Sequence, residues 1–283
     1  MTGSSLFSMD IPSLLKQFGL RPSKGLGQNF LQDEQALQAI VASADISPSD
    51  DVLEIGPGLG NLTRHLALAA HSVTSVELDK ALFPALESVI APFQNVRLVQ
   101  GDILRMDPAD LMKTPGYLVV ANIPYYITSA LLRHLLESNL HPRRLVLTVQ
   151  AEVAERICAT PGKMSLLSLS VQIYGKPSIL TRIPAEAFYP TPKVDSAVLR
   201  VEILPEPLIP APWLTIFFTL IKAGFSQRRK TLRNSLSGGL GITPTAAEKM
   251  LATTGIDPMR RAETLSLEDW RKLCEVVLNI DSA

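Results

Sequence analysis

At 283 residues, 46% hydrophobic and 19% charged, the chain has apolar material for about two domains of roughly 150 residues, which excludes a small stapled scaffold and a mainly disordered protein. Lys and Arg (27) balance Asp and Glu (27), so net charge points to neither a nucleic acid nor a membrane; from Pro207 to Ala247, however, Lys222, Arg228, Arg229, Lys230 and Arg233 occur without one acid. Cys158 and Cys274 lie far apart with no further Cys or His at ligand spacing, and neither a signal pattern nor a long apolar run is present, so we expect no metal, no membrane partner and a soluble cytoplasmic monomer.

In chain order, the spacing of Leu37, Ile40, Val41 and Ala44 predicts a helix over 33–46 with Asp33 as its cap. Short apolar strands at 51–55, 72–77, 96–100, 117–121 and 144–149 then alternate with helical stretches near 60–70, 79–90, 128–138 and 151–159. Such alternation predicts a parallel sheet with helices on both faces and a ligand at the carboxyl ends of the strands. Two more strands are expected at 178–183 and 194–203. Pro205, Pro207, Pro210 and Pro212 place a boundary after residue 206. Beyond it the pattern is helical over 213–223, 228–236, 244–252 and 266–278, with Thr243 and Ser266 as starts and Gly238, Gly239 and Gly241 as breaks. The expected fold is α/β, a Rossmann-like domain over 1–206 followed by a small all-helical domain over 207–283.

The first strand runs into Gly56-Pro57-Gly58-Leu59-Gly60. These glycines lack both the G-x-G-x-x-G nicotinamide spacing and the Gly-Lys-Ser/Thr of a P-loop, and alone they also suit a plain strand-to-helix turn. The second strand ends at Glu77, about twenty residues on, where an acid can hold a ribose diol. The third ends at Asp102, placed to accept from an adenine amino group. Gly, Glu and Asp on three successive strand ends suit a nucleoside ligand without phosphates, which describes S-adenosylmethionine.

The fourth strand stops at Asn122-Ile123-Pro124-Tyr125. An exocyclic amine on an aromatic base has its lone pair delocalised into the ring and is a poor nucleophile. The Asn122 oxygen and a carbonyl held outward by Pro124 can accept both amine hydrogens and favour the pyramidal nitrogen, while Tyr125 stacks on the base. Taken alone, the same four residues would also serve as a strand-ending turn.

The combination Gly27-Gln28-Asn29-Phe30-Leu31, Glu54 to Gly60, Glu77-Leu78-Asp79, Gly101-Asp102, Asn122 to Tyr125, Phe188 to Ser196 and Phe225 to Ser235 resembles the KsgA-type (RsmA) ribosomal RNA adenine dimethyltransferases over nearly the whole chain. The resemblance implies dimethylation of two adjacent adenines near the 3′ end of small-subunit (16S) ribosomal RNA, within a pre-assembled subunit, and a part in subunit biogenesis. It implies that Asn29 and Leu31 contact the methionine end of S-adenosylmethionine, that Gly56 and Gly58 approach the cofactor, that Glu77 holds its ribose and Asp102 its adenine. Asn122 would lie between the two substrates, and Phe188 would stack on the flipped base opposite Tyr125.

Arg228, Arg229, Lys230 and Arg233 are expected to open a helix beside Lys222 and to follow an RNA backbone, although a charge run also reads as a solvated face. Lys16, Arg21 and Lys24 would add an arm that orders on RNA. His65, His71, His134 and His141 read as surface or packing residues without a matching carboxylate. The rival readings are a methyltransferase for large-subunit RNA or DNA, and a non-catalytic assembly or transcription factor on the same fold.

Overall fold

A computed structural model describes residues 9–227 and 229–281. The chain forms two compact units, one drawn from residues 1–154 and 177–203, the other from 155–176 and 204–283.

The first unit opens with α1 (Ile11–Gln17), capped by Asp10 on the Ser13 N–H at 3.1 Å, and β1 (Phe30–Leu31). α2 (Glu34–Ala44) starts where the sequence predicts, on Asp33, whose carboxylate accepts the Ala36 N–H at 2.8 Å, and it buries Leu37, Ile40 and Ala44. Strands and helices then alternate through β2 (Asp51–Ile55), α3 (Asn61–Ala69), β3 (Ser72–Glu77), α4 (Phe83–Ile90), β4 (Val96–Gln100), α5 (Pro108–Leu111), β5 (Leu118–Asn122), α6 (Thr128–Leu136) and β6 (Arg144–Gln150). After α7 (Ala151–Ile157) and α8 (Leu166–Gln172) come β7 (Gly175–Ile183), β8 (Phe188–Tyr189) and β9 (Ser196–Ile203).

The main sheet has the order β4-β3-β2-β5-β6-β9-β7. β2 to β6 pair in parallel and β9 lies antiparallel to β6. Nearly every residue of β2 and β5 is buried, as expected for central strands covered on both faces. From β2 the chain builds outward to β4, returns to β5 beside β2, and then builds the other way. That reversal opens a crevice beyond the carboxyl ends of β2 and β5. A second, two-stranded sheet, absent from the sequence reading, pairs Phe30 with Tyr189 and Leu31 with Phe188.

In the second unit, α9 (Leu214–Phe225), α10 (Leu232–Leu240), α11 (Pro244–Thr253) and α12 (Leu267–Asp281) follow the Pro-rich stretch. Thr243 and Ser266 act as starts as expected, accepting the Ala246 and Asp269 N–H groups at 3.2 and 3.1 Å. The helix expected at 228–236 is displaced: α10 begins at Leu232, so Arg229 and Lys230 precede it, and Gly238 and Gly239 lie inside it. The reason is tertiary. A Cβ at Gly239 would stand 2.6 Å from that of Ala223, so α10 can lie this close to α9 only with glycine there, and the contact outweighs a helix-propensity cost of about 1 kcal/mol. Residues 155–176 join this unit through the Gly162 and Met164 N–H groups, both donated to the Glu263 carbonyl at 2.9 and 3.1 Å. The single boundary expected after 206 thus becomes a junction at Ile203/Leu204 plus this excursion.

Candidate active site

The crevice contains a cavity of about 190 Å³, built entirely within the first unit. After β2 the chain turns through Gly58 at φ +59°, where a Cβ would approach the Phe30 ring at 3.0 Å, so the turn sits against β1 only because residue 58 is glycine. Gly56 and Gly58 both line the cavity.

Glu77, at the end of β3, is 6% exposed. Its Oε2 accepts the Gly58 N–H at 3.1 Å and its Oε1 the Asp79 N–H at 2.8 Å, so one carboxylate both faces the cavity and holds the glycine turn. Burial raises its pKa above the usual carboxylate range against the pull of those two backbone donors. Asp102, just past β4, caps the following turn by accepting the Leu104 N–H at 3.0 Å, and its other oxygen lies 3.5 Å from Arg105 Nε. It lines the cavity beside the apolar Ile103 and Leu104. Acid on two strand ends with an apolar wall between them suits a nucleoside, whose hydroxyl and amino groups need acceptors and whose base needs apolar surface.

Asn122 closes β5, and its Nδ2 donates to the Asn29 carbonyl at 3.2 Å, which fixes the amide with Oδ1 as the remaining acceptor. Pro124 holds φ at −58°, and its own carbonyl accepts the Ile127 N–H at 3.2 Å. The Tyr125 hydroxyl pairs with Ser196 Oγ, at the start of β9, at 2.7 Å, and burial raises its pKa. Phe188 is 1% exposed, opposite Leu31 in the small sheet. Asn29, Leu31, Asn122, Pro124, Tyr125 and Phe188 line the same cavity as Glu77 and Asp102.

Asn61 and Glu54 line the cavity without having been assigned a site role from the sequence. Asn61, the first residue of α3, donates to the Leu31 carbonyl at 2.7 Å and accepts from Arg64 Nη2 at 2.9 Å, tying the glycine turn to β1. Its position directly after the glycines is the only signal in the sequence. Glu54, on β2, is 1% exposed and lines the cavity, and burial pushes its carboxyl up to about 7.

The basic residues belong to the second unit and none lines the cavity. Lys222, on α9, and Arg229 and Lys230, in the turn after it, are exposed, while Arg228 lies outside the described residues. Arg233 Nη1 is 3.4 Å from Glu248, so the stretch that is acid-free in sequence meets an acid in space. The N-terminal segment that carries Lys16, Arg21 and Lys24 is tied to the first unit through Gln28, which donates to Asp79 at 2.8 Å and accepts the Ser23 N–H at 2.7 Å. His65 corrects another expectation, since its Nε2 lies 3.2 Å from Glu34. Among the described residues no His, Cys, Asp or Glu group could hold a metal ion, and no helix is long and apolar enough to cross a membrane.

Residues 20–278 match the family model for ribosomal RNA adenine dimethylase. The chain is 46% identical over 271 residues to the ribosomal RNA small subunit methyltransferase A of Dehalococcoides mccartyi (strain CBDB1), covering 93% of each chain. It is 43% identical to the protein of that name from Moorella thermoacetica, covering 92% of this chain and 94% of the relative. Among solved structures it superposes on the 23S rRNA methyltransferase ErmE with a TM-score of 0.72 at 29% identity, over 88% of this chain and 99% of that one. A dimethyladenosine transferase from Plasmodium falciparum shares the fold, with a TM-score of 0.73 at 24% identity over 89% of this chain and 98% of its own.

Proposed function

The chain belongs to the ribosomal RNA adenine dimethylase family, and from that premise we propose that it uses S-adenosylmethionine to dimethylate N6 of two adjacent adenines near the 3′ end of small-subunit ribosomal RNA. The supporting observation is the cavity at the sheet's reversal point, which combines Glu77 and Asp102 on one pair of strand ends with Asn122 to Tyr125 and Phe188. The 46% identity to small-subunit methyltransferases, against 29% to the 23S enzyme, favours the small-subunit target.

When bound, S-adenosylmethionine supplies a methyl group made electrophilic by its sulfonium. Glu77 accepts from the ribose hydroxyls and Asp102 from the cofactor's adenine amino group. Asn29, Leu31, Gly56 and Gly58 surround the methionine end. Asn122 Oδ1 and the Ile123 carbonyl, held extended by the proline after it, accept the two hydrogens of the target amine and recover its lone pair for attack. Tyr125 and Phe188 stack on the flipped adenine. No general base is required, because the amine becomes acidic as it is alkylated. Lys222, Arg228, Arg229 and Lys230 contact RNA phosphates outside this site, with Arg233 contributing less because Glu248 already engages it.

The test is methyl transfer from labelled S-adenosylmethionine to small subunits lacking dimethyladenosine, followed by mapping of the modified bases. Two adjacent dimethyladenosines near the 3′ end are expected. Modification only of large-subunit RNA or of DNA, or none at all, would overturn the reading.

A further inference from the structure

Tyr126 directly adjoins the Asn122–Tyr125 loop but has no part in the chemistry above. It follows Tyr125 in the one-turn helix Tyr125–Ile127. The two rings have opposite environments: Tyr125 is half-buried and bonded to Ser196, whereas Tyr126 is 62% exposed at the edge of the same cavity. Nor is the exposed ring loosely held. A Cβ on Gly27 would stand 3.3 Å from Tyr126 Cδ1 and Cε1 and 3.4 Å from Pro124 Cβ, so the backbone at residue 27 backs the ring directly. Gly27 sits at φ +62° in a tight loop, its N–H donated to the Lys24 carbonyl at 3.1 Å and the Gln28 N–H to the Ser23 carbonyl at 3.2 Å. Gln28 anchors that loop to Asp79 at 2.8 Å. Lys24 lies on that loop and Arg21 just before it, both exposed.

A pre-positioned aromatic face open to water, beside cations on a fixed loop, is the combination that binds an unpaired nucleotide: the ring takes the base and the cations take its phosphates. We propose that Tyr126 is a stacking platform for the nucleobase adjacent to the target adenine, with Arg21 and Lys24 at the flanking phosphates. This rests on the adenine methyltransferase reading and deepens it, since two neighbouring adenines need one to be held while the other is in the cavity. Consecutive residues, with α-carbons about 3.8 Å apart, would then serve consecutive nucleotides.

The experiment uses the full chain, labelled S-adenosylmethionine and small subunits lacking dimethyladenosine, with Tyr126→Ala, Tyr126→Phe and Tyr126→Trp compared with wild type. Tyr126→Ala should raise KM for the particles on the order of tenfold, the loss of one base stack, while KM for S-adenosylmethionine stays at the wild-type value. Phe and Trp should restore the particle KM, because the aromatic face and not the hydroxyl is needed. An unchanged particle KM in the Ala variant would overturn the platform. So would a rise confined to the S-adenosylmethionine KM, which would make the ring a prop for the cofactor loop, or failure of both aromatic variants to restore function. Wild-type enzyme that methylates no adenine in these particles would instead sink the underlying reading.

Discussion

Glu54→Gln isolates the effect of burying a carboxyl group on the strand that feeds the glycine turn. Glu54 is 1% exposed, and the Ser75 hydroxyl donates to its Oε2 at 2.6 Å. Burial pushes its pKa from 4.5 to about 7, with the Ser75 and Thr63 hydroxyls opposing the shift and the nearby Glu77 charge adding to it. The folded protein therefore holds this proton more tightly than the unfolded chain does. The associated stability is complete below about pH 4.5 and is lost as pH rises through about 7. At ~1.4 kcal/mol per pH unit, the change from 4.5 to about 7 amounts to about 3 kcal/mol. Gln has no proton to lose. In urea unfolding at a series of pH values, the stability of wild type minus that of Glu54→Gln should fall by about 3 kcal/mol between about pH 4.5 and pH 8. A difference independent of pH, or one that grows as pH rises, would mean that Glu54 stays ionised in the fold and would refute the reasoning from burial.

Asn122→Ala should lower the rate of methyl transfer by roughly 10²–10³ while the protein stays folded, measured in single-turnover assays; wild-type turnover would remove Asn122 from the chemistry. Glu77→Gln leaves one oxygen for two backbone donors, Gly58 and Asp79, so a buried N–H loses its acceptor at ~1–3 kcal/mol and the ribose loses a carboxylate. Calorimetry should show weaker S-adenosylmethionine binding by on the order of tenfold or more, and an unchanged Kd would place the ribose elsewhere. Changing Arg229 and Lys230 together to Gln should reduce the slope of log K for RNA against log salt by roughly 0.7 for each phosphate no longer neutralised, with cofactor affinity as the control. A wild-type slope would mark that turn as a solvated surface.

The strands were readable because short Val-, Leu- and Ile-bearing runs recur between helical stretches: β2, β3 and β4 occupy the expected residues, 51–55, 72–77 and 96–100, even though β4 is the edge strand and has no fully buried residue. Their ends were readable for the same reason, and with them Glu77, Asp102 and Asn122. α8 was missed because Leu166-Leu-Ser-Leu-Ser-Val-Gln172 alternates like a strand. What makes it a helix is the reciprocal Ser165–Ser168 cap, with backbone-to-hydroxyl distances of 3.1 and 2.7 Å. α10 was misplaced because two glycines read as a break until Ala223 is seen against one of them. The site details that stayed hidden are long-range pairings. β1 against β8, Asn61 to Leu31 and Tyr125 to Ser196 join segments with no shared local pattern. Of two consecutive tyrosines, nothing local says which turns inward; Ser196 decides it.

Because residues 155–176 belong to the helical unit, the chain crosses between its two units after 154, 176 and 203, and no single cut separates them. Deleting everything beyond residue 203 would take the Glu263 carbonyl from the Gly162 and Met164 N–H groups and the Leu208 N–H from the Ile173 carbonyl, leaving buried Leu169, Val171 and Ile173 without the rest of their unit. A truncated enzyme would therefore report misfolding before it reported RNA affinity. The same threading constrains inheritance. Exchanging the helical unit between relatives would require two segments, 155–176 and 204–283, to be replaced together.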